Sequence, residues 1–534
     1  MKKIFIGLLI ASSILSMVSC SFLDVTPQDT IAPKDYYKTA EDISNSLAGV
    51  YGALAGSGLY QNNMMGKLGL SADIGFANYS SEKGTVTYYS VIASDTKILT
   101  YWQNCYQGIQ RANLLLNYLD ESELTDEEKD DVRGQALFLR SYFYLLLVTR
   151  FGDVPLVLKP TASGFAEDVH VARSPRRDVY IQLIEDLEAA ADLVKGVDEI
   201  ENPVGTRVTK SAVWGILARA CLYFAGEPLN EPGMYLKAKD YAAKVIGSGL
   251  HSLNPSFEQV FINYIQDKYD IKESIFEVDF YGNGTGVYAS AAGQVGRNNG
   301  IKFSNTEIEE IGTSAGYLHT SEYFHKLYGD GDLRRDWTIA SFTYNDDGTK
   351  TFESPTGIAW KLNCGKFRRE YELSRPKTGQ WTTINFPILR YSDVLLMYAE
   401  AVAADETGGS AEFDNAVEYV NMVRRRGYGK DINTENTDID IDVLSRTELL
   451  EAIKVERALE LGFEMLRKDD IIRWGEFYSR MKYVRDLAYQ NTYTSSYYAS
   501  ARLYYDNVEQ NDVLWPIPSY EMGLNPLLTQ NQGW

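Results

Sequence analysis

Ser314 stands in Gly312-Thr313-Ser314-Ala315-Gly316, the G-x-S-x-G spacing. On a sharp turn between a buried strand and a helix, that spacing exposes a serine nucleophile for acyl transfer, with a His and an acid supplied downstream. The residues before it, EIEEI, do not read as a buried strand, so a hydrolase elbow is not expected. The four histidines, His170, His251, His319 and His325, are scattered, with no HExxH, and the spacing of His319 to His325 does not share a helical face. A zinc site is therefore not expected. Gly282-Asn283-Gly284-Thr285-Gly286 lacks the third spaced glycine of a dinucleotide loop and reads as a turn. Asp431 to Asp442 (DINTENTDIDID) is acidic but lacks the glycine of an EF-hand loop. A solvated loop is the default there, and a structural Ca²⁺ is the one cofactor left open. Among 73 acidic residues no pair stands out as the two carboxylates of a glycosidase. The chain reads as a binding protein, not an enzyme.

Binding chemistry has better candidates. Gly66 to Ala93 has no clear period and mixes polar with aromatic residues, among them Asp73, Asn78, Tyr79, Tyr88 and Tyr89. Long irregular stretches in a compact protein are often functional. The 38 tyrosines fit a polar binding surface, since each offers an apolar face and a hydroxyl, and they fit ordinary helix packing equally. The formal charge of −21 argues against nucleic acid, whose phosphates such a surface repels, and does not favour anionic lipid.

The elements that must hold these residues are mostly helices. Gly134 to Phe151 is apolar on nearly every face, so it must be covered on several sides. Thr125-Asp126-Glu127-Glu128 has capping-box spacing and starts this central helix; Gly152, with Pro155 beyond, stops it. Further helices are expected at 35–54, at 100–119 with Trp102 and Tyr106 in the core, and after three N-caps: Ser174, with Pro175 in the first turn, Thr209 and Ser445. Ala238-x2-Tyr241 recurs as Ala416-x2-Tyr419, a small-against-large pattern that resembles tetratricopeptide helix pairs. From 267 to 385 helical period fades and Gly, Asn, Thr and Tyr rise. That reads as a loop-rich insertion with short strands at 274–280 and 337–344. Helix returns from 386, and Glu456, Arg457, Glu460, Arg467, Asp470 and Arg473 alternate in sign beside apolar residues, as an ion-pair network within helix contacts would. The expected organisation is a signal peptide (1–19), a tether (20–34), an N-terminal helical scaffold (35–266), the insertion (267–385) and a C-terminal helical part (386–534).

At the N-terminus, Lys2-Lys3, an apolar run and small Ser19 make a secretory signal. Met17-Val18-Ser19-Cys20 resembles a bacterial lipobox, with Met17 in place of the usual leucine; lipidation of Cys20 would anchor the chain without spanning. The remaining cysteines, Cys105, Cys221 and Cys364, are too dispersed for a disulfide framework.

Four ordered motifs carry a family resemblance: RFGDVPLVL (150–158), FPILRYSDVLLMYAEA (386–401), ERALELGFEMLRKDDIIRW (456–474) and LWPIPSYEMGLNPLLTQNQGW (514–534). Together with the lipobox followed by FLD, they resemble the RagB/SusD family of outer-membrane nutrient-binding lipoproteins. The resemblance implies an α-helical scaffold with tetratricopeptide-like pairs and a loop-rich subdomain. It also implies capture of a glycan or oligosaccharide at the outer surface, a SusC-like TonB-dependent transporter as partner, and no chemistry on the ligand. Peptide binding on the same scaffold, or a glycoside hydrolase, are the alternatives. A sugar site needs flat aromatic faces and polar groups on the irregular segments. The expected ligand contacts are therefore Asp73, Asn78, Tyr79 and Tyr89 from the first stretch, with Tyr288, Tyr317 and Trp381 from the insertion.

Overall fold

The structure, a computed structural model, describes residues 36–161, 169–282, 284–286, 291–352, 359–377, 379–405, 407–490 and 495–534. The expected leader, the tether with Cys20, and Tyr288 lie outside the described residues. The longer helices are α1 (Ala40–Gly52), α2 (Thr96–Tyr118), α3 (Asp126–Phe151), α4 (Arg176–Leu193), α5 (Lys210–Ala225), α6 (Met234–Gly247), α7 (Phe257–Ile265), α8 (Tyr391–Ala404), α9 (Ser410–Gly427), α10 (Arg446–Leu461), α11 (Arg467–Arg473), α12 (Phe477–Gln490) and α13 (Ser496–Asp506). The strands are β1 (Gly75–Ala77), β2 (Ser274–Val278), β3 (Leu318–Thr320), β4 (Phe342–Tyr344), β5 (Lys350–Phe352) and β6 (Phe386–Arg390).

Helix α3 starts as its sequence requires. Thr125 Oγ1 accepts from the Glu128 amide at 3.3 Å, and Glu128 accepts from the Thr125 amide at 2.9 Å. Gly152, at φ +70°, ends it in a conformation that costs other residues steric strain. Between the ends, nearly every side chain from Gly134 to Phe151 is buried, because α1, α2, α4 and α5 all pack on this helix. Trp102 joins that core, edge-on to Phe151 at 4.9 Å.

From α3 the helices form an array in which each lies on the next: α3 on α4, α4 on α5, α5 on α6, α6 on α8, α8 on α9 and α9 on α10. Buried Ala238 and Ala416 bring neighbouring helices close beside half-buried Tyr241 and Tyr419, the tetratricopeptide-like pairing. The step from α6 to α8 passes over residues 248–390. Within it, after α7, β2 and β6 pair antiparallel with register shifts. Two further two-stranded pairs, β1–β3 and β4–β5, complete the described sheets. The protein is thus mostly α, with a loop-rich part carrying short strands.

Two local expectations are corrected. Residues 337–344 are not one strand: Arg334–Thr338 is a helical turn, held where buried Arg334 meets Asp332 (2.8 Å) and Glu456 (2.5 Å), and the strand is limited to Phe342–Tyr344. Ser174 does not cap α4. Its amide pairs with the Val154 carbonyl, and Asp153 Oδ1 accepts from the Arg176 amide at 2.8 Å instead.

The alternating charges form a buried network. Glu460 meets Arg426 at 2.5 Å and Arg390 at 2.8 Å, and Arg390 also meets Glu464 and Glu273 at 2.8 and 2.9 Å. Asp393 sits between Arg219 (2.6 Å) and Arg457 (2.7 Å), and Arg457 and Arg473 share Asp470. Arg150 pairs with Asp469, and its carbonyl accepts from the Trp515 amide at 2.7 Å, so the tail packs back on the body. Charges this deep are tolerable only when fully paired.

Candidate ligand-binding surface

Strands β1 and β3 bring two irregular segments together. Gly75, Phe76 and Ala77 face Thr320, His319 and Leu318, and the Asn78 amide continues the ladder by donating to the Tyr317 carbonyl at 2.8 Å. The register sets the Tyr79 and Tyr317 rings in a stack, centroids 3.9 Å apart and 11° from parallel. Lys67 Nζ lies 6.0 Å from one centroid and 5.7 Å from the other. Nearly equal distances to two stacked rings place the ammonium beside the pair, not on an outer face of either. Lys67 also donates to Asn62 Oδ1 at 2.8 Å, and burial pulls its pKa below the ordinary lysine value. Burial, reinforced by the Tyr79 hydroxyl, pushes the Tyr317 phenol up to about 12. Hydrogen bonds with Tyr317 and Ser81 move Tyr79 the other way, below its ordinary value.

Asn78 is half-buried beside the stack. Its Oδ1 accepts from Ser500 Oγ at 2.9 Å, and its Nδ2 lies 3.4 Å from His319 Nε2. Burial lowers the His319 pKa to about 4, so the ring is neutral near pH 7. With Nδ1–H assigned to the Trp360 carbonyl at 3.2 Å, Nε2 is left to accept from Asn78 and from Asn363 Nδ2 at 3.3 Å. Arg297 reaches the Tyr317 hydroxyl and also donates to the Gly379 carbonyl. It thereby ties the stack to the loop of Trp381, a half-buried indole against which Gly284 packs so closely that a Cβ would overlap the ring.

Of the residues expected to touch ligand, the structure gathers Asn78, Tyr79 and Tyr317 at one place and links Trp381 to them through Arg297. Asp73 does not belong to this surface. It is fully buried, and both of its oxygens accept from Arg467 at 2.8 Å. Tyr89 is only 4% exposed and donates to the Gly69 carbonyl at 2.6 Å under α13, so it too is withdrawn. Lys67, Arg297 and Ser500 were missed. Lys67 opens the irregular stretch and was legible in principle; Ser500 reaches the site only through the tertiary position of α13.

The arrangement can stack a flat ring and exchange hydrogen bonds with hydroxyl groups. Ser314 is not set up as a nucleophile: it is buried, and its Oγ donates to the Arg297 carbonyl at 3.0 Å. In the acidic loop, Asp440 is engaged by Arg425 at 2.5 Å, and Asp431 accepts from the Asn433 amide and Thr434 Oγ1. Among the described residues no three His, Cys, Asp or Glu side chains converge as metal ligands.

Residues 272–534 match the family described as "SusD family", and residues 21–222 match one described as "Starch-binding associating with outer membrane". The chain belongs to the SusD/RagB family. It is 26% identical to SusD-like protein P2 of Formosa agariphila, over 89% of this chain and 91% of that protein. It is 24% identical to the starch-binding protein SusD of Bacteroides thetaiotaomicron, over 78% and 75%. The crystal structure of a SusD homologue from Bacteroides thetaiotaomicron superposes with a TM-score of 0.83 at 27% identity, covering 94% of this chain and 98% of that one.

Proposed function

We propose that this protein is a surface-exposed lipoprotein of the outer membrane. It captures an oligosaccharide at the Tyr79–Tyr317 surface and passes it to a SusC-like TonB-dependent transporter, with no cofactor and no chemistry on the ligand. The observation that carries the reading is the stacked tyrosine pair flanked by Lys67, Asn78 and Arg297. Membership of a family with a starch-binding relative supports it. Aromatic contacts contribute about 0.5–1.5 kcal/mol each. Two or three, with a few hydrogen bonds, give dissociation constants on the order of micromolar to millimolar. Weak capture suits a protein that must release its ligand to a transporter. Among the described residues no helix is long and apolar enough to cross a membrane; the proposed attachment is acylated Cys20.

The test is calorimetric titration with maltohexaose and with laminarihexaose. Wild-type protein binds at least one of them and releases no reducing ends. Tyr79→Ala with Tyr317→Ala weakens that binding roughly tenfold or more at unchanged melting temperature. Equal binding by wild type and double variant rejects the site. Cys20→Ala is expected to move the protein from the membrane to the soluble fraction.

A further inference from the structure

A cleft of about 650 Å³ opens between the α4–α5 side of the helical array, the α11–α12 turn and residues 510–514. None of Lys67, Asn78, Tyr79, Arg297, Tyr317 or Trp381 lines it. Its volume lies within the roughly 300–1,000 Å³ of small-molecule sites. Tyr180, Trp474 and Tyr478 supply ring surface. Tyr180 is held from behind by Phe224, stacked at 5.0 Å and 12°. Trp474 is fixed by its Nε1, which donates to Glu400 at 2.8 Å, and by the Arg473 guanidinium over its ring at 4.9 Å. Tyr478 stands at the mouth, 36% exposed.

The charges decide the ligand class. Inside the cleft, Arg473 is consumed by Glu400 and Asp470, and Asp469 by Arg150. At the rim, Arg176 lies 3.8 Å from Asp153, a loose pairing. Glu227 and Gln510 are exposed there, with no side-chain hydrogen bond among the described residues. Arg176 and Glu227 are opposite in sign, so the cleft has no surplus charge with which to hold an ion. It offers flat rings within and a mixed set of donors and acceptors at the edge, which is complementary to an uncharged ring bearing hydroxyls. We propose that the cleft between α4–α5 and α11–α12 is a second saccharide site, taking a neutral pyranose unit between Trp474 and Tyr478 with Arg176, Glu227 and Gln510 on its hydroxyls. This rests on the reading of the protein as an oligosaccharide binder and gives it two contact points on one chain.

The test uses the whole mature chain with maltohexaose and laminarihexaose, reading calorimetric stoichiometry and tryptophan fluorescence. Wild type is expected to show two classes of site. Tyr79→Ala with Tyr317→Ala removes one and leaves the other. Tyr478→Ala, or Glu227→Gln with Gln510→Ala, weakens the remaining class roughly threefold to tenfold. These three residues are exposed, so folding is expected to survive, and unchanged melting temperature verifies it. A single class of site, lost with Tyr79 and Tyr317 and untouched by the cleft variants, overturns the second site alone. Wild-type protein that binds neither hexaose overturns both readings.

Discussion

At the scale of the residue, burial decides what a side chain is free to do. Asp73 and Asn78 are five positions apart in one irregular stretch and look alike as hydrogen-bonding groups. Asn78 is half-buried beside the tyrosine stack, whereas Asp73 is sealed inside, bridging to Arg467 394 positions away. Nothing local to Asp73 names that partner. The sign alternation around Arg467 was legible, the identity of its acid was not. Asp73→Ala leaves a buried guanidinium uncompensated and is expected to cost about 3–5 kcal/mol in denaturant unfolding. Oligosaccharide affinity of the folded fraction should stay at the wild-type value. A stable variant, or one with lost affinity at full stability, contradicts the structural role.

At the scale of the element, the long helices were the readable part. The Thr125–Glu128 capping box, the all-apolar run of α3 and the Thr209 and Ser445 caps all form as their residue types dictate. The three-residue strands β1 and β3 were not readable, because three residues carry no period. Yet their pairing is what brings Tyr79 to Tyr317, so the site was visible as separate residues and invisible as a site. Asp95 couples the two kinds of element. It caps α2 by accepting from the Lys97 amide at 2.8 Å and holds the irregular stretch by accepting from the Val86 amide at 2.8 Å. Asp95→Ala removes both bonds, and a loss of about 2 kcal/mol is expected, about 1 from the cap and the rest from the second bond. Faster proteolytic nicking within residues 78–93, ahead of global unfolding, is the accompanying signature.

At the scale of the whole molecule, the four family motifs converge on the buried ion pairs and on the tail, not on the Tyr79–Tyr317 surface. Arg150, Arg390, Asp393, Glu460 and Trp515 come from all four and meet in one core. The resemblance therefore reported the scaffold strongly and the ligand hardly at all. This core also sets the acid limit. Burial alone would raise the Asp393 carboxyl, but Arg457 and Arg219 outweigh it and hold it at about 2; Glu460 and Asp470 are lowered in the same way. A carboxyl depressed below its unfolded value near 3.9 adds stability above that pH and loses it as pH falls through the folded value. His319, neutral down to about 4 in the fold against roughly 6.5 unfolded, loses stability on acidification between those values. Glu277, which burial raises to about 7, gains over nearly the same span. Thermal melts should accordingly change little between pH 7 and about 4 and fall steeply below. A melting temperature that holds at pH 3 contradicts the coupling.

The β2–β6 pair has a consequence for grafting. What lies between Val278 and Phe386 departs and re-enters at one doorway, yet it is keyed to the helices by Arg334, buried against Glu456 of α10, and by β3, which pairs with β1. A segment grafted at this doorway would settle on the frame only if it kept both of those contacts.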